Sequence, residues 1–344
     1  MDRLLAEIRE QPAVLQRLLE EEYSNIQQVA QAIREREVHY ALIAARGTSD
    51  HAATYAKYLL GARNRLPVAL AAPSLYTLYE SPPRIRGGLV MGISQSGMSP
   101  DIVSVVRDAR EQGALTVAIT NNPDSRLARV AEHLILCRAG EEKSVAATKT
   151  YTAELMAVAL LSVALAEDEK ALAQLHTVPE AVQSALTLEE QVKGVAELYR
   201  EMQYCAVVSR GYNYATALEV GLKVKELTYV SATSYSSADF MHGPIATVEE
   251  GSPVLLIAPR GKALDDLLHL AEELRARRAN LLLISDARDL GRAPTLLQVS
   301  PRVEEWLSPM VLVVPGQLFA YHLARAKGLD PQHPRGLRKV TETR

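Results

Sequence analysis

A short polar segment between an apolar run and a helical pattern has the composition of an anion-binding turn. It follows Leu89–Ile93 and carries three hydroxyl groups, a side-chain amide and a glycine. In order, the residues are Ser94, Gln95, Ser96, Gly97, Met98, Ser99, Pro100 and Asp101. Ser99 suits the N-cap position and Pro100 the first helical position, so the positive end of the following helix would point at the same place. Backbone N–H groups and hydroxyls gathered there predict a phosphate site.

The polar turn contains neither arginine nor lysine, so phosphate binding would depend on neutral donors. That favours a phosphomonoester, such as a sugar phosphate, over a triphosphate. The turn also lacks the spacing of the G-x-x-x-x-G-K-[ST] and G-x-G-x-x-G motifs, which argues against a nucleotide ligand. Taken alone, the same residues are equally compatible with an ordinary Ser/Gly loop.

A second polar turn, Arg46-Gly47-Thr48-Ser49, follows the apolar run Tyr40–Ala45. If both apolar runs are parallel strands of one sheet, both turns lie at the carboxyl edge, where open α/β sheets usually bind ligands. We therefore expect Thr48 and Ser49 to face the same crevice as the segment 94–101.

A helical segment at residues 218–226 places three charged side chains on one face. Glu219, Lys223 and Glu226 follow the i, i+4, i+7 spacing. One interpretation is a solvated helix face with paired charges. The other is a carboxylate that moves a proton between neighbouring carbon atoms, beside an ammonium group that offsets the developing charge. The spacing permits both.

His242 lies in the segment Phe240-Met241-His242-Gly243-Pro244, where a Gly-Pro loop would hold the backbone and let the imidazole reach a ligand. A single histidine in such a loop is also compatible with a purely structural role. Because no second histidine, cysteine or carboxylate stands at metal-ligand spacing around it, we expect no metal.

Short apolar runs that alternate with helical patterns must position these residues. The apolar runs are Tyr40–Ala45, Val68–Ala71, Gly88–Ile93, Leu115–Thr120 and Leu134–Cys137, with helical patterns at about 51–61 and 100–112. Runs of this length separated by helices predict parallel strands with crossover helices, and hence an α/β fold. Residues 2–36 predict two helices, with Pro12 at a helix start or break.

The second part of the chain repeats the first. Tyr204–Ser209 followed by Arg210-Gly211 matches Tyr40–Ala45 followed by Arg46-Gly47 at an offset of 164 residues, and two further runs match near 165. Two unrelated doubly wound domains are the alternative. We predict a helical segment at 1–36, related subdomains at 37–166 and 201–329, a helical connector at 167–200 and a C-terminal tail at 330–344.

Composition narrows the class of protein. The 344 residues suit roughly two domains, and a net charge of -3 with 5% aromatic residues argues against a nucleic-acid surface. Cys137 and Cys205 are too few and too far apart for a disulfide framework or a thiolate metal cluster, and they fit a reducing compartment. The chain start lacks an apolar signal region, and the run 155–166 is shorter than the roughly 20 residues that cross a bilayer. We expect a cytoplasmic protein without membrane contact, and 155–166 as a buried helix.

Together these segments resemble the sugar isomerase (SIS) family, in particular the isomerase half of glucosamine-6-phosphate synthase and its single-function relatives. The similarity covers nearly the whole chain. The segments that carry it are 8–12 (IREQP), 47–49 (GTS), 94–97 (SQSG), 145–150 (VAATKT), 218–226, 241–244 (MHGP) and 334–341 (PRGLRKVT). It implies two tandem SIS subdomains, each a doubly wound parallel sheet flanked by helices.

The resemblance also implies residue roles. Ser94, Gln95, Ser96 and Ser99 would hold a sugar 6-phosphate, Thr48 and Ser49 would contribute from the second turn, and Val145 would offer backbone contacts to the sugar. Glu226 would shuttle a proton between C1 and C2, Lys223 would stabilise the enediol-like charge, and His242 would assist ring opening. Lys339 would approach the carbonyl carbon, as a Schiff base if its amine is deprotonated. No cofactor is implied, and the subunits would pair as homodimers in which the histidine loop reaches the neighbouring site.

Two departures from the synthase direct the expected activity. The synthase begins with a glutaminase domain whose nucleophile is an N-terminal cysteine, whereas here the second residue is Asp2 and the isomerase half accounts for the whole chain, so we expect no glutamine-dependent amination. Met98 stands where the synthase has an acidic residue, and the continuation Ser99-Pro100-Asp101 is more similar to stand-alone amino-sugar phosphate deaminases and isomerases. The expected reaction converts glucosamine 6-phosphate to fructose 6-phosphate and ammonia, or acts on a fructosamine 6-phosphate. The alternatives are an aminotransferase that uses free ammonia or a partner glutaminase, and a non-catalytic sugar-phosphate sensor.

Overall fold

Strands and helices alternate along the chain. The computed structural model describes residues 2–287, 290, 295–300 and 303–339. The strands are β1 Tyr40–Ala44, β2 Val68–Leu70, β3 Gly88–Ile93, β4 Leu115–Thr120, β5 His133–Leu136, β6 Tyr204–Ser209, β7 Ser231–Ser236, β8 Pro253–Ile257, β9 Asn280–Ser285 and β10 Thr295–Gln298. The α-helices are α1 Arg3–Arg9, α2 Gln11–Glu35, α3 Thr48–Asn64, α4 Ser74–Thr77, α5 Pro100–Glu111, α6 Arg126–Val130, α7 Lys149–Ala166, α8 Glu169–Leu175, α9 Val178–Leu186, α10 Glu189–Leu198, α11 Tyr214–Thr228, α12 Ser237–Met241, α13 Leu264–Ala276 and α14 Ser308–Ala326. This alternation confirms the predicted α/β class.

The strands form two five-stranded sheets in which every pair is parallel. The first sheet has the order β2-β1-β3-β4-β5, and the second, read from its β7 edge, has the order β7-β6-β8-β9-β10. Each strand of the second sheet therefore occupies the place of its counterpart in the first. The identical strand order confirms the internal repeat and argues against two unrelated domains.

Two compact units contain the two sheets. The first-sheet unit comprises the described residues within 13–142, 149–176 and 338–344, and the second-sheet unit comprises those within 1–12, 143–148 and 177–337. The two helices predicted within residues 2–36 are observed: α1 ends at Arg9 and α2 begins at Gln11, so Pro12 lies at a helix start. The five-segment division of the chain from 1–36 to 330–344 stays a prediction of its domain organisation.

Helix α7 forms the centre of the first-sheet unit, where it packs against α3. It has the length and composition of a membrane span, yet 89% of it is buried inside the folded chain. Its inward face and its outward face are both apolar, as expected for a helix surrounded by protein. The prediction of a buried helix at 155–166 is therefore confirmed.

Helix α14 has the same place in the second-sheet unit, where it packs against α9, α10 and α11. Gly316 lets it approach α11 closely, because a Cβ atom at this position would lie 2.3 Å from Cγ2 of Val220. The predicted connector at 167–200 is helical and consists of α8, α9 and α10. Packing against α14 thus fixes the position of α11, which carries the charged residues singled out above.

Cys137 and Cys205 are both free and buried. Burial raises the pKa of the Cys137 thiol well above its usual value, and the carboxylates of Glu154, Glu22 and Glu142 raise it further. Burial raises the pKa of Cys205 to about 12, against a small opposing effect of Lys225.

Neither thiol should react with a disulfide reagent in the folded protein at mildly alkaline pH. The thiolate is the reactive form, and a raised pKa keeps both groups protonated. Titration with 5,5′-dithiobis(2-nitrobenzoate) should detect no fast-reacting thiol in the native protein and both thiols in guanidinium chloride. Rapid labelling of either cysteine before unfolding would contradict the buried positions.

Candidate active site

The polar turn after β3 is held tightly by its own hydrogen bonds. The backbone N–H of Ser94 donates to the carbonyl of Ile119 at 3.0 Å and so continues the pairing with β4. The N–H of Gly97 donates to the carbonyl and to Oγ of Ser94, at 3.1 and 3.2 Å. The N–H of Met98 donates to Oγ of Ser96 at 3.3 Å. These bonds fix the path of the backbone before any ligand arrives.

Gly97 is required in this turn for two reasons. Its φ of +62° lies in the left-handed region, and a Cβ atom would lie 2.3 Å from Oγ of Ser125 and 2.9 Å from Oγ1 of Thr120. The carbonyl of Gly97 also accepts the N–H of Leu127 at 3.0 Å. A side chain here would therefore push the turn away from its supporting strand and helix.

The turn presents unused donors at the start of α5. In the part of the chain that the structure describes, the backbone N–H groups of Gln95, Ser96 and Ser99 have no hydrogen-bond acceptor. Ser99 is the N-cap residue and Pro100 the first helical residue, as predicted, but the Ser99 side chain makes no capping bond. Open N–H groups and a hydroxyl at the positive end of a helix are the donors that a phosphate needs.

Arg46, the first residue of the second polar turn, adds a positive charge beside the turn at 94–99. Its Nε lies 2.8 Å from Oδ2 of Asp101 in the first turn of α5, and the Asp101 side chain is 1% exposed whereas that of Arg46 is 51% exposed. The expectation that only neutral donors surround the turn is therefore incomplete. Fifty-five residues separate the partners, so no local sequence pattern signals the pair.

The second polar turn lies beside the first, since β1 pairs directly with β3 and Ala44 stands opposite Gly92. The strand order changes direction between these two strands, which is where doubly wound sheets bind ligands. Thr48 is half-buried at the first position of α3. Ser49 is buried, and its hydroxyl donates to Oε1 of Glu154 at 2.8 Å.

The loop before Val145 is organised by a buried carboxylate of α1. Glu7 accepts the backbone N–H of Lys143 at 2.5 Å and that of Ser144 at 3.2 Å. Val145 follows directly and is half-buried. No local pattern singles out Glu7, because a glutamate followed by an isoleucine in an otherwise amphipathic helix gives no sign of burial.

The charged face of α11 is buried, so the interpretation as a solvated helix face is wrong. Nζ of Lys223 lies 2.6 Å from Oε2 of Glu226 and 3.4 Å from Oε1 of Glu219. The side chains of Lys223 and Glu219 are 1% and 0% exposed, whereas that of Glu226 is 22% exposed. A buried charge must be paired, because burial of an unpaired charge is prohibitively costly. The ammonium group of Lys223 lies between two carboxylates and is therefore paired.

Small residues hold α11 in this position. A Cβ atom at Gly221 would lie 2.2 Å from Oγ of Ser234 in β7, which shows how closely the helix approaches the sheet. On its other side α11 contacts α14 at Gly316. Of the two carboxylates, only Glu226 reaches towards solvent.

His242 follows α12 and is exposed. Its backbone N–H donates to the carbonyl of Asp239 at 3.2 Å, and Gly243 has a φ of +141°, which a larger residue would not adopt easily. Among the described residues, no contact joins the imidazole to Glu226 or Lys223. The side chain of His242 is thus exposed to solvent next to the Gly-Pro loop.

Lys339 pairs with a buried carboxylate. Its Nζ lies 3.0 Å from Oε2 of Glu142, whose side chain is 0% exposed and also accepts the hydroxyl of Thr150 at 2.6 Å. Residues 340–344 of the predicted tail lie outside the described residues.

The SIS domain family matches this chain twice, at residues 36–164 and 199–326. The chain belongs to the SIS family. The two matched segments coincide with the two sheets, so the repeat consists of two SIS domains.

Curated and solved SIS proteins are similar over nearly the whole chain. Glutamine–fructose-6-phosphate aminotransferase (isomerizing) of Thermococcus kodakarensis is 36% identical over 346 residues, which cover 98% of this chain and 57% of that protein. The chain thus spans little more than half the length of this relative. The crystal structure of a candidate phosphosugar isomerase from Silicibacter pomeroyi is 36% identical with a TM-score of 0.88, and covers 96% of this chain and 100% of that one. The C-terminal domain of glucosamine-fructose-6-phosphate aminotransferase from Francisella tularensis is 27% identical with a TM-score of 0.89, and covers 96% of this chain and 98% of that one.

Substitution of Gly97 should damage the first SIS domain through both its conformation and its packing. We expect Gly97→Ala to destabilise the chain by about 1–3 kcal/mol and to weaken phosphate binding, because the positive φ and the contact with Ser125 act together. Urea unfolding and calorimetric titration with inorganic phosphate measure the two effects.

Gly113→Ala is the matched control for this variant. Gly113 also has a positive φ, of +81°, but a Cβ atom there would meet nothing within 4 Å. It should lose some stability and keep phosphate binding. Equal losses of phosphate binding in both variants would remove Gly97 from the proposed site.

Proposed function

We propose that this SIS protein is an enzyme that acts on an amino-sugar 6-phosphate. The reaction proposed is the conversion of glucosamine 6-phosphate and water to fructose 6-phosphate and ammonia, or the corresponding reaction of a fructosamine 6-phosphate. The observation that carries the proposal is the buried Glu219–Lys223–Glu226 array, in which Glu226 alone is accessible. A protein that only binds sugar phosphates has no need for a carboxylate kept beside a buried ammonium group.

Proton transfer by Glu226 accounts for this arrangement. After the sugar ring opens, the carboxylate takes the proton from C2 and returns it to C1, and the C1 oxygen gains the proton that the amino nitrogen loses, which turns the 2-amino aldehyde into a 2-imine with a hydroxyl group on C1. Negative charge develops on the carbonyl oxygen while the proton is away, and the ammonium group of Lys223 offsets it. Water then adds to C2 and ammonia leaves, so the ketose phosphate is the product.

The remaining roles follow from the positions of the donors. The open N–H groups and hydroxyls of residues 94–99 support binding of the 6-phosphate, with Thr48 and Ser49 on the neighbouring strand end and Val145 as a backbone contact. Exposed His242 is proposed to assist ring opening. Lys339 is proposed to reach the carbonyl carbon as a transient Schiff base.

We further propose that two copies of the chain form a homodimer in which the histidine loop serves the neighbouring copy. The exposed imidazole of His242, with no side-chain partner among the described residues of its own chain, supports this assignment. A cytoplasmic location and the use of no cofactor belong to the same proposal.

Turnover of glucosamine 6-phosphate is the direct test. Purified protein should release ammonia and form fructose 6-phosphate in equal amounts, measured by coupled dehydrogenase assays. Absence of turnover across a panel of amino-sugar 6-phosphates, with sugar-phosphate binding intact, would favour the sensor instead.

The reverse reaction is the second candidate. The Thermococcus relative bears an aminotransferase name, and this chain covers 57% of it. Incubation with fructose 6-phosphate and ammonium should then yield glucosamine 6-phosphate. Because a catalyst accelerates a reversible reaction in both directions, the KM values for ammonium and for glucosamine 6-phosphate, compared with the cellular concentrations of the two substrates, separate the two assignments.

Glu226→Gln should abolish the exchange of protons at C1 and C2 while binding of the sugar phosphate changes little. The variant keeps the shape and removes the base, so a loss of about 10²–10⁴-fold in rate is expected. Deuterium incorporation from heavy water, followed by NMR, measures the exchange. Glu272→Gln, an exposed glutamate of α13, is the control and should retain the parent rate. Equal exchange in Glu226→Gln and the parent would rule out this role.

A further inference from the structure

The two SIS domains match in side chains as well as in strand order. In the first domain, Nε of Arg46 lies 2.8 Å from Oδ2 of Asp101, at the start of α5. In the second, Nη1 of Arg210 lies 2.9 Å from Oδ1 of Asp266, at the start of α13. Both arginines follow equivalent strands, β1 and β6, and both aspartates lie in the first turns of equivalent helices. The turn at 259–263 after β8 is therefore the counterpart of the phosphate turn at 94–99.

The backbone donors of this counterpart turn are already occupied. The N–H of Lys262 donates to Oε2 of Glu305 at 2.7 Å, and that of Ala263 donates to Oε1 of the same carboxylate at 3.3 Å. The N–H of Arg260 donates to Oδ1 of Asp286 at 2.7 Å. In the first domain, no carboxylate accepts the N–H groups of the turn at 94–99 among the described residues, and those of Gln95, Ser96 and Ser99 have no acceptor there. The same turn thus meets two protein carboxylates in the second domain.

The surroundings fit the carboxylate of Glu305 closely. Gly261 has a φ of +141°, and a Cβ atom there would lie 2.3 Å from Oε2 of Glu305, so only glycine lets the carboxylate approach. The turn that carries Glu305 is fixed in front of α14, because its carbonyl accepts the hydroxyl of Ser308 at 2.7 Å. That hydroxyl in turn accepts Nδ2 of Asn213 at 2.7 Å. Hydrogen bonds therefore hold the segment that carries the Glu305 carboxylate.

We propose that the carboxylate of Glu305 takes the place of a phosphate in the second SIS domain. This domain then binds no phosphomonoester, and each chain holds one phosphate, in the turn at 94–99. Removal of the carboxylate should leave an anion site of two backbone donors, the N–H groups of Lys262 and Ala263, at the start of α13, bordered by the exposed cationic side chains of Arg260 and Lys262. The count of one phosphate in the parent rests on the proposed function; the difference between parent and variant does not.

Titration with inorganic phosphate tests the proposal. Isothermal calorimetry should give one more phosphate per chain for Glu305→Ala than for the parent, at constant ionic strength. Glu304→Ala is the matched control, because Glu304 is the exposed neighbour, and it should behave as the parent. Glu305→Ala should also melt at a lower temperature than the parent in chloride and recover part of the difference in phosphate, since a ligand that binds the folded state stabilises it.

Three results would overturn the proposal. One is binding of two phosphates per chain by the parent protein, and this measurement needs no variant. Another is a folded Glu305→Ala that binds no additional phosphate. The third result applies if Glu305→Ala is unfolded in chloride. The variant is then refolded by dilution from urea into phosphate, and failure of phosphate to restore the fold would overturn the proposal. A parent that binds no phosphate while Glu305→Ala binds one would contradict the proposed function and support this inference.

Discussion

Burial of a lysine between two glutamates is the constraint on which the second SIS domain depends. Lys223 and Glu219 are sealed from water, and charges in such a position are tolerated only when they are paired at hydrogen-bond distance. The pairing in turn requires that α11 lie close to β7 and α14, which Gly221 and Gly316 allow. The packing of the domain and the chemistry proposed for Glu226 therefore have the same origin.

Buried carboxylates organise the first-sheet unit in a similar way. Glu22 of α2 accepts the N–H of Leu136 at 3.0 Å and Nε of Arg138 at 2.8 Å, which ties the helix to the end of β5. Glu154 of α7 holds the hydroxyl of Ser49, and Glu142 holds Lys339. Each carboxylate has a specific donor, as the cost of burial demands, and each fixes a segment near the carboxyl edge of the sheet.

The two SIS domains share the backbone of this turn and differ in the groups that accept its hydrogen bonds. Both domains place a turn, a helix start and an Arg–Asp pair at the end of the third strand in the chain order of their sheets. In the first domain, the N–H groups of Gln95, Ser96 and Ser99 have no acceptor among the described residues; in the second, Glu305 and Asp286 accept the N–H groups of the counterpart turn. The N–H groups of the same turn are thus open in one domain and occupied in the other, according to which acceptor the neighbouring segments supply.

The sequence by itself determined the α/β class, the repeat, the turn at 94–99 and, within about a residue, the strands of the first sheet together with β6, β8 and β9, because these depend on local periodicity and on glycine, proline and serine at fixed spacing. Strands β7 and β10 were missed. Tertiary structure alone decided which charges are buried. The spacing of Glu219, Lys223 and Glu226 suits water or a core equally well, and only packing against α14 and β7 excludes the solvent. Pairs such as Arg46–Asp101 and the contacts of Glu305 join residues far apart in the chain, so their partners are fixed by the sheet order and by no local pattern.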